Sequence, residues 1–227
     1  RIGFEHRPRY ELFAFASHDG QIQITRFDDA KVFLINCEKF GVPQKRHRII
    51  ILGILSDQTT DLPEVLEPLN ELVPVSRVLY GLPKLRSGFS KKDSDTAWVQ
   101  VVNEALAKFR ETGIPLSANL QKAQRLKLPS KKTGRGKEYI NYDATIGHEE
   151  DWFLDAELKG VLNHSTRGHL PMDLYRYLYC SNEGQRRDVS PKLSTLPDWL
   201  LPKHKNAESG DFNDRFSVQL SKYPANT

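Results

Sequence analysis

The chain has 227 residues, 38% of them hydrophobic and 27% charged, with a formal net charge of +4 and a pI near 9.0. That is enough for one large core or two small ones in an ordinary soluble globular protein, and no apolar run approaches the roughly 20 residues of a membrane-spanning helix. Two widely separated cysteines, Cys37 and Cys180, exclude a disulfide framework and fit a reducing compartment, while the modest positive charge favours an anionic partner only mildly.

The opening Arg1-Ile2-Gly3-Phe4-Glu5-His6-Arg7 is neither a secretory segment nor a natural start, which fits a chain cut from something longer. Residues 10–16 read as an aromatic-rich strand. His18-Asp19-Gly20 supplies a turn, and the alternation of residues 21–25 completes a hairpin. Residues 31–35 read as another strand, and Ile49 to Ile54 as a fully buried one. Aspartate, threonine and proline make residues 56–68 a linker, so a domain boundary is expected there. Residues 74–82 could hold a short helix.

Residues 93–112 give the clearest helical pattern. Asp93 or Ser94 can cap it, Trp98, Val101, Val102, Ala105, Leu106 and Phe109 recur at three and four residues, and Gly113 ends it. Residues 121–137 then carry Lys122, Arg125, Lys127, Lys131, Lys132, Arg135 and Lys137 with no acidic residue before Glu138. The charge reverses immediately afterwards through Asp143, Glu149, Glu150, Asp151, Asp155 and Glu157. Residues 173–180 suggest a short aromatic helix, 190–205 a proline-rich irregular stretch and 212–220 a last strand. Trp98, Trp152 and Trp199 are expected in the core.

The informative stretch is Phe40-Gly41-Val42-Pro43-Gln44-Lys45-Arg46-His47-Arg48, followed by an apolar strand. Glycine and proline build a tight turn, and two arginines two residues apart at a strand entrance point to the same side. Guanidiniums so placed need anionic or carbonyl-rich partners. A pair of structural arginine–carboxylate bridges would satisfy the same spacing.

This stretch resembles the Gln-x-Arg-x-Arg motif of C5-cytosine DNA methyltransferases, including its aromatic-Gly-x-Pro lead-in and the strand behind it. Residues 162–169, Leu-Asn-His-Ser-Thr-Arg-Gly-His, with Asp173-Leu174-Tyr175-Arg176-Tyr177, look like part of the target-recognition region of a bacterial branch. Residues 212–219, with Pro224-Ala225-Asn226-Thr227, are similar to its return strand.

The resemblance implies an α/β fold, with the end of a Rossmann-like mixed sheet at residues 1–56. It also implies a smaller mixed α+β target-recognition domain at 57–208 and a return strand at 209–227. Family enzymes flip a cytosine out of the duplex and attack it with a cysteine thiolate; the ring then takes the methyl group of S-adenosylmethionine. By resemblance Arg48 reaches cytosine O2, Arg46 organises the catalytic carboxylate and loop, and Gln44 helps hold the turn. A guanidinium on O2 would stabilise charge building on the ring.

Departures from the family pattern matter as much. Cys37 follows Asn36 and Cys180 follows Tyr179, whereas the family's nucleophile follows proline; Cys37 reads as a small buried hydrophobe. Neither a Phe-x-Gly-x-Gly loop nor a Glu-Asn-Val triplet occurs. The chain is therefore expected to be a fragment that neither binds S-adenosylmethionine nor turns over alone, although its parent would. The parent is expected to be a monomeric bacterial cytoplasmic enzyme working on double-stranded DNA, of restriction-modification or orphan type.

The basic stretch and Arg167 are the candidates for DNA contact, with Arg125, Lys127 and Arg135 the choices for base reading. The alternative for the stretch is a solvated loop. His164, His169, His148 and Cys180 are poorly spaced for zinc, and no metal is expected. Two other readings compete: a non-catalytic DNA-binding module on the same fold, and a magnesium-dependent nuclease built on the carboxylates around Glu149.

Overall fold

The structure is a computed structural model that describes residues 9–18, 21–24, 30–56, 64, 66–128, 134–203 and 216–225. It is mixed α/β and separates into two compact units, Arg1–Arg77 with Ser221–Thr227, and Val78–Leu220. Among the described residues no helix is long and apolar enough to cross a membrane.

The first unit runs through β1 (Tyr10–His18), β2 (Gln21–Ile24), a 3-10 turn at Ala30–Phe33 and β3 (Leu34–Asn36). A second 3-10 turn at Cys37–Phe40 leads to β4 (His47–Ile49) and β5 (Ile51–Leu55). The expected hairpin is present, and β5 pairs antiparallel with the other edge of β1, giving the order β2-β1-β5. The strand expected at 31–35 is delayed. The 3-10 turn occupies its first part and swings the Phe33 carbonyl to accept from the Ile50 amide at 3.0 Å.

The single buried strand expected from Ile49 to Ile54 is corrected in two ways. It is two strands in two sheets, since β4 pairs with β3 and β5 with β1, with the break at Ile50. Nor is it buried: Ile49 is 66% and Ile51 54% exposed. Among the described residues β5 is the edge of a three-stranded sheet and β4 has β3 as its one partner, so neither has the two-sided cover that would bury isoleucines. The core of this unit is instead Phe13, Ala14, Phe33, Ile35, Val73 and Val75.

The second unit contains α1 (Ser76–Leu79, which the division crosses), β6 (Gly88–Phe89), α2 (Asp95–Glu111), α3 (Ala118–Lys122) and β7 (Gly136–Asn141). It continues with α4 (Glu150–Phe153), β8 (Gly160–Ser165), β9 (Gly168–His169) and α5 (Pro171–Arg187). β7 and β8 form an antiparallel pair, and β6 and β9 a two-residue parallel pair. α2 matches its sequence pattern: the Ser94 hydroxyl caps it by accepting from the Ala97 amide at 3.1 Å, and Val102, Ala105, Leu106 and Phe109 are buried. α2 packs on α5 around Phe109, Cys180, Leu193, Leu196, Leu200 and Phe216.

Three expectations fail here for physical reasons. The helix expected at 173–180 runs from Pro171 to Arg187, because Asn182 and Glu183 beyond its expected end are buried and hydrogen-bonded. Asn182 accepts from the Ser117 amide at 2.8 Å and donates to the Pro115 carbonyl at 2.9 Å. The expected return strand is absent among residues 216–220, whose groups bond elsewhere: the Phe216 carbonyl accepts from Cys180 Sγ at 3.4 Å, and the Val218 amide donates to Ser190 Oγ at 3.0 Å. Residues 204–215 lie outside the described residues. Trp152 is not core but 83% exposed, whereas Trp98 and Trp199 are half-buried. The irregular 190–205 stretch supplies Leu193, Leu196 and Leu200 to the core through two 3-10 turns, Leu193–Thr195 and Asp198–Leu200.

Candidate functional site

In the first unit the Phe40–Arg48 turn is built from its sequence. Gly41, at φ 85°, closes the Cys37–Phe40 turn in the left-handed region that a side chain would strain. Pro43 and Gln44 then run beside Ala225: the Ala225 amide donates to the Pro43 carbonyl at 2.9 Å, and the Lys45 amide to the Ala225 carbonyl at 2.7 Å. Pro224-Ala225 thus does return to the Gln44 turn, as one parallel bridge and not as a strand.

Beyond the turn, the Cys37 amide donates to the Arg46 carbonyl at 3.3 Å and extends the β3–β4 ladder by one rung. His47 opens β4, Arg48 is its central residue, and Arg46 immediately precedes the strand. His47 Nε2 lies 3.0 Å from Glu38 Oε1. Burial works to raise the Glu38 pKa, but the His47 hydrogen bond, a backbone bond and the charges of His47 and Lys45 outweigh it and hold the carboxyl below its ordinary value. Arg46 and Arg48 are exposed, and among the described residues neither forms an ion pair. Arg48 Nη1 donates only to the neighbouring His47 carbonyl, at 2.6 Å. The alternative of two structural carboxylate bridges is therefore not what these residues form within the described chain.

Cys37, expected to be buried, is half-exposed at the start of a turn. Cys180 is fully buried, and burial pushes its thiol up to about 11. Its environment disfavours the thiolate a nucleophile requires.

In the second unit the basic residues divide into three groups. Lys122 ends α3, and Arg125 and Lys127 follow on an irregular segment clipped to α2. There Asn103 accepts from the Leu126 amide at 2.7 Å and donates to its carbonyl at 3.1 Å, while Arg110 donates to the Ala123 carbonyl at 2.5 Å. Lys122, Arg125 and Lys127 are exposed, and among the described residues they form no ion pairs. Asn103, Arg110, Arg125 and Lys127 line a groove of about 710 Å³. Lys131 and Lys132 lie outside the described residues.

Arg135, an expected base reader, is tied into the protein. Its Nη1 lies 3.5 Å from Asp93 and its Nη2 donates to the Thr166 carbonyl at 3.1 Å. This is the edge of a buried network that the sequence reading missed. Arg86, 6% exposed, makes a paired contact with both oxygens of Asp93 at 2.9 and 3.0 Å and one with Asp95 at 2.6 Å. The Arg86 hydrogen bonds hold the Asp93 carboxyl below the usual range against the opposing effect of burial. Asp93 figured in the sequence only as a cap candidate, and no spacing signals its partner. Lys137 on β7 and Arg167 between β8 and β9 are exposed, and among the described residues neither has an ion pair.

The histidines are occupied singly. His164 Nε2 lies 2.8 Å from the Pro83 carbonyl, and the His169 ring meets Tyr177 edge-on at 5.1 Å. Among the described residues no three of His, Cys, Asp or Glu come together in a way that could hold a metal ion.

A family model described as C-5 cytosine-specific DNA methylase matches residues 29–176, well over half of the chain and spanning the Gln44–Arg48 turn. No curated protein and no solved structure matches.

Proposed function

The chain belongs to the C-5 cytosine-specific DNA methylase family, and from that premise we propose that it forms the base-gripping and DNA-reading part of a DNA (cytosine-5-)-methyltransferase. In this reading Arg48 reaches O2 of a cytosine extruded from the duplex, Arg46 organises the catalytic carboxylate and loop, and Gln44 holds the turn. Charge that builds on the ring when a nucleophile adds is met by the Arg48 guanidinium, which remains protonated throughout. The observation that supports the reading is the exposure of both arginines at the entrance of β4, with His47 bonded to Glu38 and no ion-pair partner for either arginine among the described residues.

Enzymes of this family take the methyl group from S-adenosylmethionine. Gly160, which lines both cavities at the β8 end, lies against the Ile140 carbonyl, so this glycine makes no open turn there for that donor. This chain's own residues act on the base and the DNA backbone. Lys122, Arg125, Lys127, Lys137 and Arg167 neutralise phosphates, and Arg135 serves as a strut. Lys131 and Lys132 remain part of the proposed phosphate contact. Work on bacterial DNA in the cytoplasm, by a monomer of restriction-modification or orphan type, completes the reading.

The test is Arg48→Ala in the enzyme that contains this chain, with methyl transfer and duplex affinity measured together. Transfer should fall by about 100-fold or more, the loss typical of an oxyanion-type donor, with affinity nearly unchanged. Near-normal transfer would remove the contact and favour a non-catalytic DNA-binding module.

A further inference from the structure

The second unit carries an apolar groove that the DNA reading leaves unused. Leu82, Ile146, Leu158 and Val161, with Leu79 and Phe153 at the rim, line a cavity of about 360 Å³. It shares Ala144, Leu154, Asp155 and Gly160 with a neighbouring cavity of about 500 Å³, so the two compartments lie side by side along one surface. Its walls are held by the fold. The chain passes so close to Gly81 that any Cβ there would strike the Thr145 carbonyl, and the Tyr139 hydroxyl donates to the Leu158 and Lys159 carbonyls at 3.0 and 3.2 Å.

Large apolar side chains stand open on the same elements. Leu79, Phe153 and Leu162, each about half exposed, line the first cavity, and Trp152, 83% exposed, lies on α4 between Asp151 and Phe153, which line the second and the first. An exposed tryptophan one residue from side chains of an apolar cavity is the composition of a protein-binding hot spot. The second compartment is acidic: between 143 and 159 the chain has six carboxylates against Lys159. Asp143, Glu150 and Asp151 line this compartment exposed, and among the described residues they form no ion pairs. That charge repels phosphate, so the surface is unsuited to DNA. A cationic partner is complementary to it.

We infer that this groove docks a second protein through a segment that places an apolar side chain in the 360 Å³ compartment and lysines or arginines over the carboxylates. This inference does not rest on the proposed DNA role. The segment is read through burial of Trp152 and Phe153 for affinity and through the carboxylates for orientation and rate of encounter.

The test uses the chain with a fluorescein-labelled amphipathic peptide of leucine and lysine, beside a matched peptide of leucine and glutamate. The lysine peptide is expected to bind, to shift tryptophan emission to the blue and to lose affinity at high salt. Trp152→Ala should weaken it by about tenfold or more. Glu150→Gln combined with Asp151→Asn should weaken it several-fold at low salt and little at 1 M salt. These side chains are exposed, so circular dichroism should report unchanged folding in both variants. Equal binding of the glutamate peptide, or full affinity in Trp152→Ala, overturns the inference. So would self-association of the chain abolished by Trp152→Ala, which makes the groove a face between copies, or loss of duplex binding in that variant, which makes it a DNA surface.

Discussion

Glu38 Oε1 and His47 Nε2 lie 3.0 Å apart and join the turn after β3 to the first residue of β4. The contact anchors the strand at the residue between Arg46 and Arg48, neither of which forms an ion pair among the described residues. Because the Glu38 carboxyl sits below its ordinary value, its contribution is present above the unfolded carboxylate pKa and is lost as pH falls through the folded one. Glu38→Gln should therefore lower stability by about 1–2 kcal/mol at pH 7. The gap between variant and parent should close as pH falls through the folded carboxyl value. Urea unfolding at pH 7 and in acid decides it, and an equal gap under both conditions would show that the Glu38 carboxylate is not its source.

Asp93 is the hub of the network that holds Arg86 and Arg135. Asp93→Ala leaves the Arg86 guanidinium buried beside Asp95 alone and should destabilise by about 3–5 kcal/mol. Arg135→Ala should cost less, because that side chain is 34% exposed and solvent screens its contact. Thermal unfolding of the two variants gives the order, and a reversed order would remove Asp93 from the centre.

Asn182 ties α5 to the segment before α3. Asn182→Ala strands the buried Ser117 amide and should cost about 1–3 kcal/mol for that group. Hydrogen exchange at Ser117 is the direct readout, and protection as strong as in the parent would deny the bond its role.

Lys122, Arg125 and Lys127 are the clearest phosphate-binding group in the second unit. Replacing all three with glutamine should weaken duplex binding uniformly across sequences. It should flatten the dependence of log affinity on log salt by about 0.9 for each phosphate that is no longer neutralised. Anisotropy titrations over a salt series check this; an unchanged slope would place the DNA elsewhere.

Local pattern was legible in the sequence where neighbouring residues decide structure. The three-and-four spacing and Ser94 cap gave α2 almost to the residue, the alternation gave the first hairpin, and the Gly41 turn before Arg46 and Arg48 stood out. What stayed hidden depends on partners distant in the chain. Asn182 and Glu183 lay beyond the helix expected at 173–180, yet they are buried in it, with Asn182 bonded to the Pro115–Ser117 segment. Apolar Ile49 and Ile51 read as core, yet they stand exposed, because burial is set by what lies across a sheet and composition cannot supply that. Arg135 counted as one of seven equivalent charges until Asp93, 42 residues earlier, claimed it.

The division of one isoleucine run at Ile50 has a consequence for how this segment tolerates changes in length. Arg48 and the β5 side chains belong to different sheets but share one covalent path, and strand parity alternates with every residue. Losing a single residue at Ile50 would turn either Arg48 or the inward residues of β5 to the opposite face, whereas losing two would restore both. Length variation between the Gln44 turn and β5 should therefore occur in pairs, a constraint imposed by backbone geometry on a stretch whose composition looks freely interchangeable.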